Sequence, residues 1–236
     1  MIDWLTEQSM TPKHGHPQRG FSLVELTIVL VIVALLSGGL MLGLAAQRDA
    51  NNYQEAQRQL DSAKEALFGF AISNGRLPCP ATATLANTDS NAGKENCTAE
   101  HGVLPWSTLG LPETDPWGQR LTYFARNQFT ATLTAGALAS FTLDTLGNAN
   151  IKDATSSGYD IASSLPAVIV SHGSRGVGGY QKSGVQLTGA IGDEAENADA
   201  DLTFIAHTPS DSFDDIVTWI IPTVLKSRMV AVGKLP

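Results

Sequence analysis

The stretch of residues 171–179 is the part of the chain most similar to a catalytic or phosphate-binding site. His172 stands between Ser171 and Ser174, and the apolar run before them predicts a strand that leads into a glycine-rich loop. The loop lacks both Gly-Lys-Ser/Thr and the Gly-x-Gly-x-x-Gly register of nucleotide-binding loops. Neighbouring His and Ser residues do not define a triad, because sequence adjacency says nothing about geometry. We therefore expect a tight loop at a sheet edge, and no enzymatic activity.

An acidic segment at residues 193–201 is the main candidate for a metal site. Oxygen ligands at alternating positions can hold calcium, and the candidates are Asp193, Glu194, Asp199 and Asp201. Their spacing matches no calcium motif residue by residue, so a solvated acidic loop is the preferred interpretation. No paired His or Cys ligands indicate zinc. We expect no cofactor.

The two cysteines, Cys79 and Cys97, allow two interpretations. Outside the cytoplasm they would form a disulfide, whereas in the cytosol they would more often be free thiols. A bridge would close a loop of about 18 residues, which the chain-entropy model equates with about 3 kcal/mol of stability. The net charge of −8 disfavours non-specific binding to nucleic acid.

Glu25 is the one ionisable residue within the apolar run of residues 21–46. A helix of that length can cross the hydrocarbon core of a bilayer. A secretory signal would have a shorter apolar core, and a plain membrane anchor leaves Glu25 unexplained, because a carboxylate in lipid costs about 2.5–3.5 kcal/mol or more. The usual alternative, a carboxylate that reaches the membrane surface, is possible this near the end of the run.

The first 20 residues form a polar leader without sustained periodicity. They are either a disordered tail or a processed segment. Lys13 and Arg19 precede the apolar run, and the positive-inside tendency then keeps this end in the cytoplasm.

The junction between leader and apolar run resembles the processing motif of type IV pilins and type II secretion pseudopilins. The residues that match are Gly20-Phe21-Ser22-Leu23-Val24-Glu25-Leu26. The resemblance covers residues 20 to about 74. It implies cleavage between Gly20 and Phe21 by a prepilin peptidase, which also methylates the new amino terminus. It further implies that Glu25 pairs with the terminal amine of a neighbouring subunit, which neutralises two charges that are costly in lipid.

The same resemblance implies the partners of the chain. They are the prepilin peptidase/methyltransferase, other pilins or pseudopilins in a helical filament, an inner-membrane assembly platform and the lipid bilayer. No nucleic-acid partner is expected. The unusual sequence of the body, residues 75–236, suggests a minor subunit.

Residues 47–74 predict an amphipathic continuation of one helix that runs from Phe21 to Ser73. Its apolar stripe is formed by Ala56, Leu60, Ala63, Leu67 and Phe70. Asn74-Gly75 is a natural stop. A stripe made mostly of alanine favours packing on a sheet or helix over a free coiled coil.

The body predicts several strands after this one long helix, which indicates an α+β fold with a mainly antiparallel sheet, as in pilins. The predicted strands are residues 121–126, 129–134, 140–143, 167–171, 202–206 and 213–220. Pro222 should open a last helix that ends at Val232, with Leu225, Met229 and Val232 on its apolar face.

These elements divide the chain into a cleaved leader (1–20), a transmembrane and filament-core helix (21–46), its amphipathic continuation (47–74) and a periplasmic globular domain (75–236). A body outside the cytoplasm favours the disulfide. We expect a pilin or pseudopilin subunit, held in the inner membrane before assembly. The alternative is a membrane-anchored periplasmic binding module that does not polymerise.

Overall fold

The computed structural model describes residues 20–156 and 158–236, and for residues 38–46 it describes the backbone alone. The chain divides into two compact units, one that ends at Gln47 and one that comprises Arg48–Pro236. Apart from Gly20, the predicted leader lies outside the described residues.

Helix α1 comprises Leu23–Asn74 and begins two residues later than predicted. It ends where the sequence predicts, because Gly75 takes a left-handed φ of 73° and its N–H reaches the carbonyl of Ala71. A Cβ at Gly75 would stand 2.2 Å from the carbonyl oxygen of Leu138, so only glycine fits. Over the residues that the structure describes, none of the helices offers a stretch long and apolar enough to cross a membrane. The membrane span at residues 21–46 stays a prediction.

Within the second unit, the apolar stripe of α1 packs into the core. Ala56, Leu60, Ala63 and Leu67 are buried as predicted. Phe70 is only half-buried, and the stripe continues instead through Phe68 and Ala71.

Short strands and helices follow α1 along the second unit. In chain order they are β1 (His101–Val103), α2 (Trp106–Leu109), β2 (Gln119–Arg120), β3 (Thr122–Ala125), α3 (Asn127–Thr130), β4 (Ala149–Lys152), β5 (Asp160–Leu165), β6 (Ala167–Ser171), β7 (Tyr180–Gln181), α4 (Asp193–Glu196), β8 (Thr203–Ile205), β9 (Ile216–Trp219) and α5 (Pro222–Ala231).

The main sheet is antiparallel, with strand order β1-β3-β6-β9. Its central pair, β3 and β6, places Tyr123 opposite Ile169, and both side chains are buried in the core with the stripe of α1. A second sheet has the order β5-β4-β8, in which β4 and β8 are parallel. Strands β2 and β7 form a two-stranded ribbon. The fold is therefore α+β with mainly antiparallel pairing, as predicted.

Two predicted strands are wrong. Residues 129–134 begin in helix α3, and residues 140–143 form no strand. Phe129 and Phe141, which suggested strand alternation, lie with their ring centroids 4.7 Å apart in the core. The two rings anchor a loop rather than the face of a sheet. Buried aromatic residues in this loop therefore have the sequence pattern that is typical of a strand.

The remaining predictions hold with shorter bounds. Strand β9 begins only at Ile216, because Phe213 closes a tight turn with Ser210. Strands β3, β6 and β8 fall within predicted ranges. Helix α5 begins at Pro222 as predicted and buries Leu225 and Met229, but Val232 is 48% exposed and is not part of the apolar face.

Candidate processing and assembly site

The junction between Gly20 and Phe21 is sterically open. Gly20 precedes α1, and a Cβ built on it would have no atom within 4 Å. Phe21 is 83% exposed. An exposed peptide bond ahead of a helix is the form of substrate that a protease can bind.

Glu25 lies in the first turn of α1 and is exposed. The turn is closed by the N–H of Leu26, which donates to the carbonyl of Ser22 at 3.0 Å. The hydroxyl of Thr27 donates a hydrogen bond to the carbonyl of Val24 at 2.8 Å, so this neighbouring polar side chain has its partner within the helix. The side chain of Glu25 stays accessible, and a negative charge in the first turn is favoured by the helix dipole.

Apolar side chains surround residues 23–36 of α1 on all sides. Those exposed by about half or more are Leu23, Val24, Leu26, Ile28, Val29, Leu30, Val31, Ile32, Val33, Leu35 and Leu36. A helix that is apolar all round is stable only when lipid or other apolar helices cover it. This segment therefore requires a partner on more than one face.

The His172 loop in the body is built as a structural turn. Ser171 donates its hydroxyl to Asp115 at 2.7 Å, and Ser174 donates to Asp214 at 2.8 Å, so neither serine contacts the imidazole. The ring of His172 is fully buried, with Nε2 2.8 Å from the hydroxyl of Thr122. Ser171, His172 and Ser174 are close in sequence but bind separate partners, as expected in a tight loop.

The backbone of this loop needs glycine. Gly173 has a φ of 60°, and a Cβ there would stand 2.3 Å from the carbonyl oxygen of Asp214. Asp215 approaches Nδ1 of His172 at 3.6 Å, which is too long for a hydrogen bond. The geometry does not form a serine–histidine pair.

The four calcium candidates do not converge. Asp193 accepts from the N–H of Thr155 at 2.8 Å and contacts His207. Asp199 and Asp201 each cap nearby backbone N–H groups of their own loop. Glu194 is buried and pairs with Arg175. Burial raises the pKa of Glu194, and the guanidinium of Arg175 opposes that effect.

The acidic neighbours of Glu194 are not the calcium candidates that the sequence predicts. Its carboxylate lies within 4.8 Å of those of Asp214 and Asp215. Arg175 contacts Asp214 as well, at 3.7 Å. Since a guanidinium already supplies positive charge here, the described residues show a salt-bridged cluster rather than the predicted arrangement of ligands.

Cys79 and Cys97 are joined by a disulfide, with their Cα atoms 5.0 Å apart. An ion pair reinforces the closure, because Arg76 donates to both carboxylate oxygens of Glu95 at 2.8 Å. Hydrogen bonds from Arg76 hold the pKa of Glu95 below its ordinary value, against the opposing effect of burial. The N–H of Cys79 also donates to Glu95.

Arg120 is a structural residue that the sequence did not single out. Its side chain is 0% exposed and forms an ion pair with Glu113 at 2.8 Å. It also donates to the carbonyls of Ala83, Leu85 and Lys182, and it lies over the ring of Trp106 at 4.6 Å. The only local signal was an arginine within an apolar, aromatic stretch, which does not reveal partners so distant in sequence.

Comparison with known proteins gives two kinds of match. Residues 15–41 match the family described as the prokaryotic N-terminal methylation motif. The type II secretion system core protein G of Aeromonas hydrophila is 25% identical over 147 residues, which are 58% of this chain and 95% of that protein. The protein of the same name from Pectobacterium carotovorum subsp. carotovorum is 30% identical over 71 residues, 30% of this chain and 46% of that protein. No solved structure matches the chain significantly.

The similarity to the Aeromonas protein extends beyond the residues of the family match. The family match includes Gly20, Phe21 and Glu25. A match over 58% of the 236 residues cannot fit within α1, so the similarity to the Aeromonas protein extends into the body.

Proposed function

We propose that this chain is a member of the family of type IV pilins and type II secretion pseudopilins, is trimmed between Gly20 and Phe21, and then assembles as a structural subunit of a helical filament. One observation supports this above others: an open cleavage junction precedes a helix that is apolar all round and holds one carboxylate in its first turn. A non-polymerising binding module would not need this combination.

Both relatives are core proteins of type II secretion systems, which favours a secretion pseudopilus over a pilus. The match that spans 95% of the Aeromonas protein leaves much of this chain uncovered. The additional body supports a specialised, minor subunit over the bulk one.

Before assembly, the apolar run of residues 21–46 would hold the subunit in the inner membrane. Lys13 and Arg19 support a cytoplasmic leader, by the positive-inside tendency. The disulfide between Cys79 and Cys97 supports a body in the oxidising periplasm.

Assembly would then replace lipid by neighbouring helices. Cleavage creates a cationic amine at Phe21, and both this amine and Glu25 are costly in an apolar environment. Pairing Glu25 of one subunit with the amine of another removes both costs and sets the helical register.

Processing is tested by the intact mass of the full chain, extracted from cells that contain a prepilin peptidase. We expect the loss of residues 1–20 and one added methyl group on Phe21. Gly20→Val should block cleavage. Gly69→Val is the matched control, since a Cβ at either glycine would have no atom within 4 Å. Retention of the leader in the unaltered chain would refute the processing step.

Assembly is tested separately with Glu25→Gln, which keeps the shape and removes the charge. The variant should be cleaved normally but should lose disulfide cross-links between cysteines introduced on neighbouring α1 helices. Thr27→Val, which removes the other polar group of this turn, should keep the cross-links. Equal cross-linking of Glu25→Gln and the unaltered chain would favour the non-polymerising module.

A further inference from the structure

A cleft of about 250 Å³ lies in the body, and none of its lining residues belongs to the segment proposed for assembly. Six parts of the chain line it: residues 80–84 and 96–99 next to the two cysteines of the disulfide, strand β1, Thr122 of β3, the β7 ribbon, and the segment around α4 and β8. A pocket assembled from distant segments on a sheet is the usual form of a preformed ligand site.

The lining of this cleft contains no Asp, Glu, Lys or Arg. With 16% charged residues in the chain, a lining of this size would hold about three at average composition. His101 is the histidine of the lining, and burial lowers its pKa, which favours the neutral ring. The lining itself supplies no charged partner for an ionic ligand. The carboxylates of Glu100, Asp199 and Asp201 act on His101 from outside the lining.

Neutral hydrogen-bonding groups take the place of charges. Some are held in position by the protein: Asn96 donates to the hydroxyl of Thr82 at 2.9 Å, and Gln186 donates to the carbonyl of Gly178 at 2.9 Å. In contrast, Thr98 and Tyr180 also line the cleft, and among the described residues neither hydroxyl has a hydrogen-bond partner. Hydroxyl and amide groups both donate and accept, which suits a ligand with many hydroxyls of its own.

Apolar surface completes the lining. Tyr180 and Phe204 contribute aromatic surface, and Pro80 and Ala198 contribute aliphatic surface. The C–H face of a sugar ring packs on such surface while its rim of hydroxyls reaches the polar groups. The volume admits a single sugar ring.

The cleft is held rigidly. The amide of Asn197 is fixed by Asp215 and by the backbone of Ile205, at 2.8–3.1 Å. A Cβ at Gly178 would stand 2.5 Å from Ala198, so glycine keeps the space open. Ala200, at the rim, has the unfavourable φ of 60°, and backbone strain of this kind concentrates at ligand sites.

From these observations we propose that the cleft binds a neutral saccharide, one sugar residue of a glycan that the assembled subunit would meet outside the cytoplasm. The site does not depend on α1 assembly for its geometry, since all lining residues belong to the second unit. An extended peptide is the other neutral ligand of this size, and the experiment separates the two.

The test is saturation-transfer NMR, followed by titration calorimetry, on the full chain. The detergent must be a polyoxyethylene ether, because maltoside and glucoside detergents are themselves saccharides. The probes are glucose, galactose, mannose, N-acetylglucosamine and their short oligomers. Glucuronic acid and glucosamine serve as charged analogues, and trialanine blocked at both ends serves as the peptide. We expect binding of at least one neutral sugar and at least tenfold weaker binding of its charged analogue.

Variants locate the site. Thr98→Val removes one exposed hydroxyl at nearly constant shape and should weaken the sugar about fivefold, and Tyr180→Ala should weaken it about tenfold. Tyr159→Ala is the matched control, because Tyr159 is 81% exposed and does not line the cleft.

Binding of the blocked peptide alone, equal binding of the charged analogues, or full affinity in Thr98→Val and Tyr180→Ala would overturn the proposal. So would the absence of binding by every neutral sugar. None of these results bears on cleavage at Gly20 or on the cross-links between α1 helices, so failure here is distinct from failure of the proposed function.

Discussion

Breaking the disulfide between Cys79 and Cys97 should destabilise the body without unfolding it. Cys97 is exposed whereas Cys79 is 1% exposed. Cys97→Ser is therefore the preferred substitution, because it removes the disulfide without placing a new polar group in the core.

The magnitude follows from the sequence separation of 18. In the chain-entropy model, a loop of this length in the unfolded state corresponds to about 3 kcal/mol of lost stability. For a folded unit of this size, each kcal/mol shifts Tm by about 2–4 °C, so we expect Tm to fall by about 6–12 °C. The folded loop should persist, because Arg76 and Glu95 still close it and Ala81 still bridges to Glu95 and Val103.

The assay is thermal unfolding of the full chain by circular dichroism, with and without reductant, in parallel with alkylation to count free thiols. The unaltered chain in reductant should match Cys97→Ser, and reductant should not shift the variant further. If alkylation shows two free thiols and Tm is nevertheless unchanged, the idea that this bond restrains the unfolded chain is refuted.

Two other ionic contacts lead to predictions. Arg120→Lys should destabilise the body by about 1–3 kcal/mol in denaturant titrations, because an ammonium cannot replace the planar contacts with Glu113 and the ring of Trp106 and leaves buried acceptors without hydrogen bonds. Exposed Arg58→Lys is the control, and equal stability of the two variants would contradict this account. Since the folded-state pKa of Glu95 is lowered, its contribution is fully present above the ordinary Glu pKa and is lost as pH falls through the lower folded value. In Glu95→Gln, the free energy of unfolding should therefore fall less steeply as the pH is lowered. The same dependence on acidic pH in both proteins would exclude this role for Glu95.

The features that sequence predicted best are those set by neighbouring residues. The stop of α1 depends on Gly75 and the carbonyl of Ala71, four residues earlier. Four members of the predicted stripe, such as Leu60 and Leu67, are buried because helical periodicity alone places them on one face. The Gly20–Phe21 junction and Glu25 also form a local motif, so the structure adds their exposure rather than their identity.

The features that sequence missed depend on partners far along the chain. Arg120 binds carbonyls 37, 35 and 62 residues away, and no local pattern encodes such contacts. Phe129 and Phe141 led to wrong strand predictions, because buried positions favour aromatic residues in loops as well as in sheets. Strands β4 and β5 were missed because β4 is a short strand and β5 is largely exposed, with two register shifts between them.

This difference between local and distant determinants also separates the two roles proposed for the chain. Assembly requires little more than an open junction, one carboxylate and a continuous apolar surface, and all three lie within residues 20–46 of the sequence. Recognition of a saccharide requires Asn96, Thr98 and Tyr180 to meet across more than 80 residues of chain, and their geometry depends on the disulfide and on the packing of β1, β7 and β8. Substitutions in the cleft can therefore change what the subunit binds while leaving the assembly determinants intact. A variant that loses saccharide binding but keeps cross-links between α1 helices would show this separation directly.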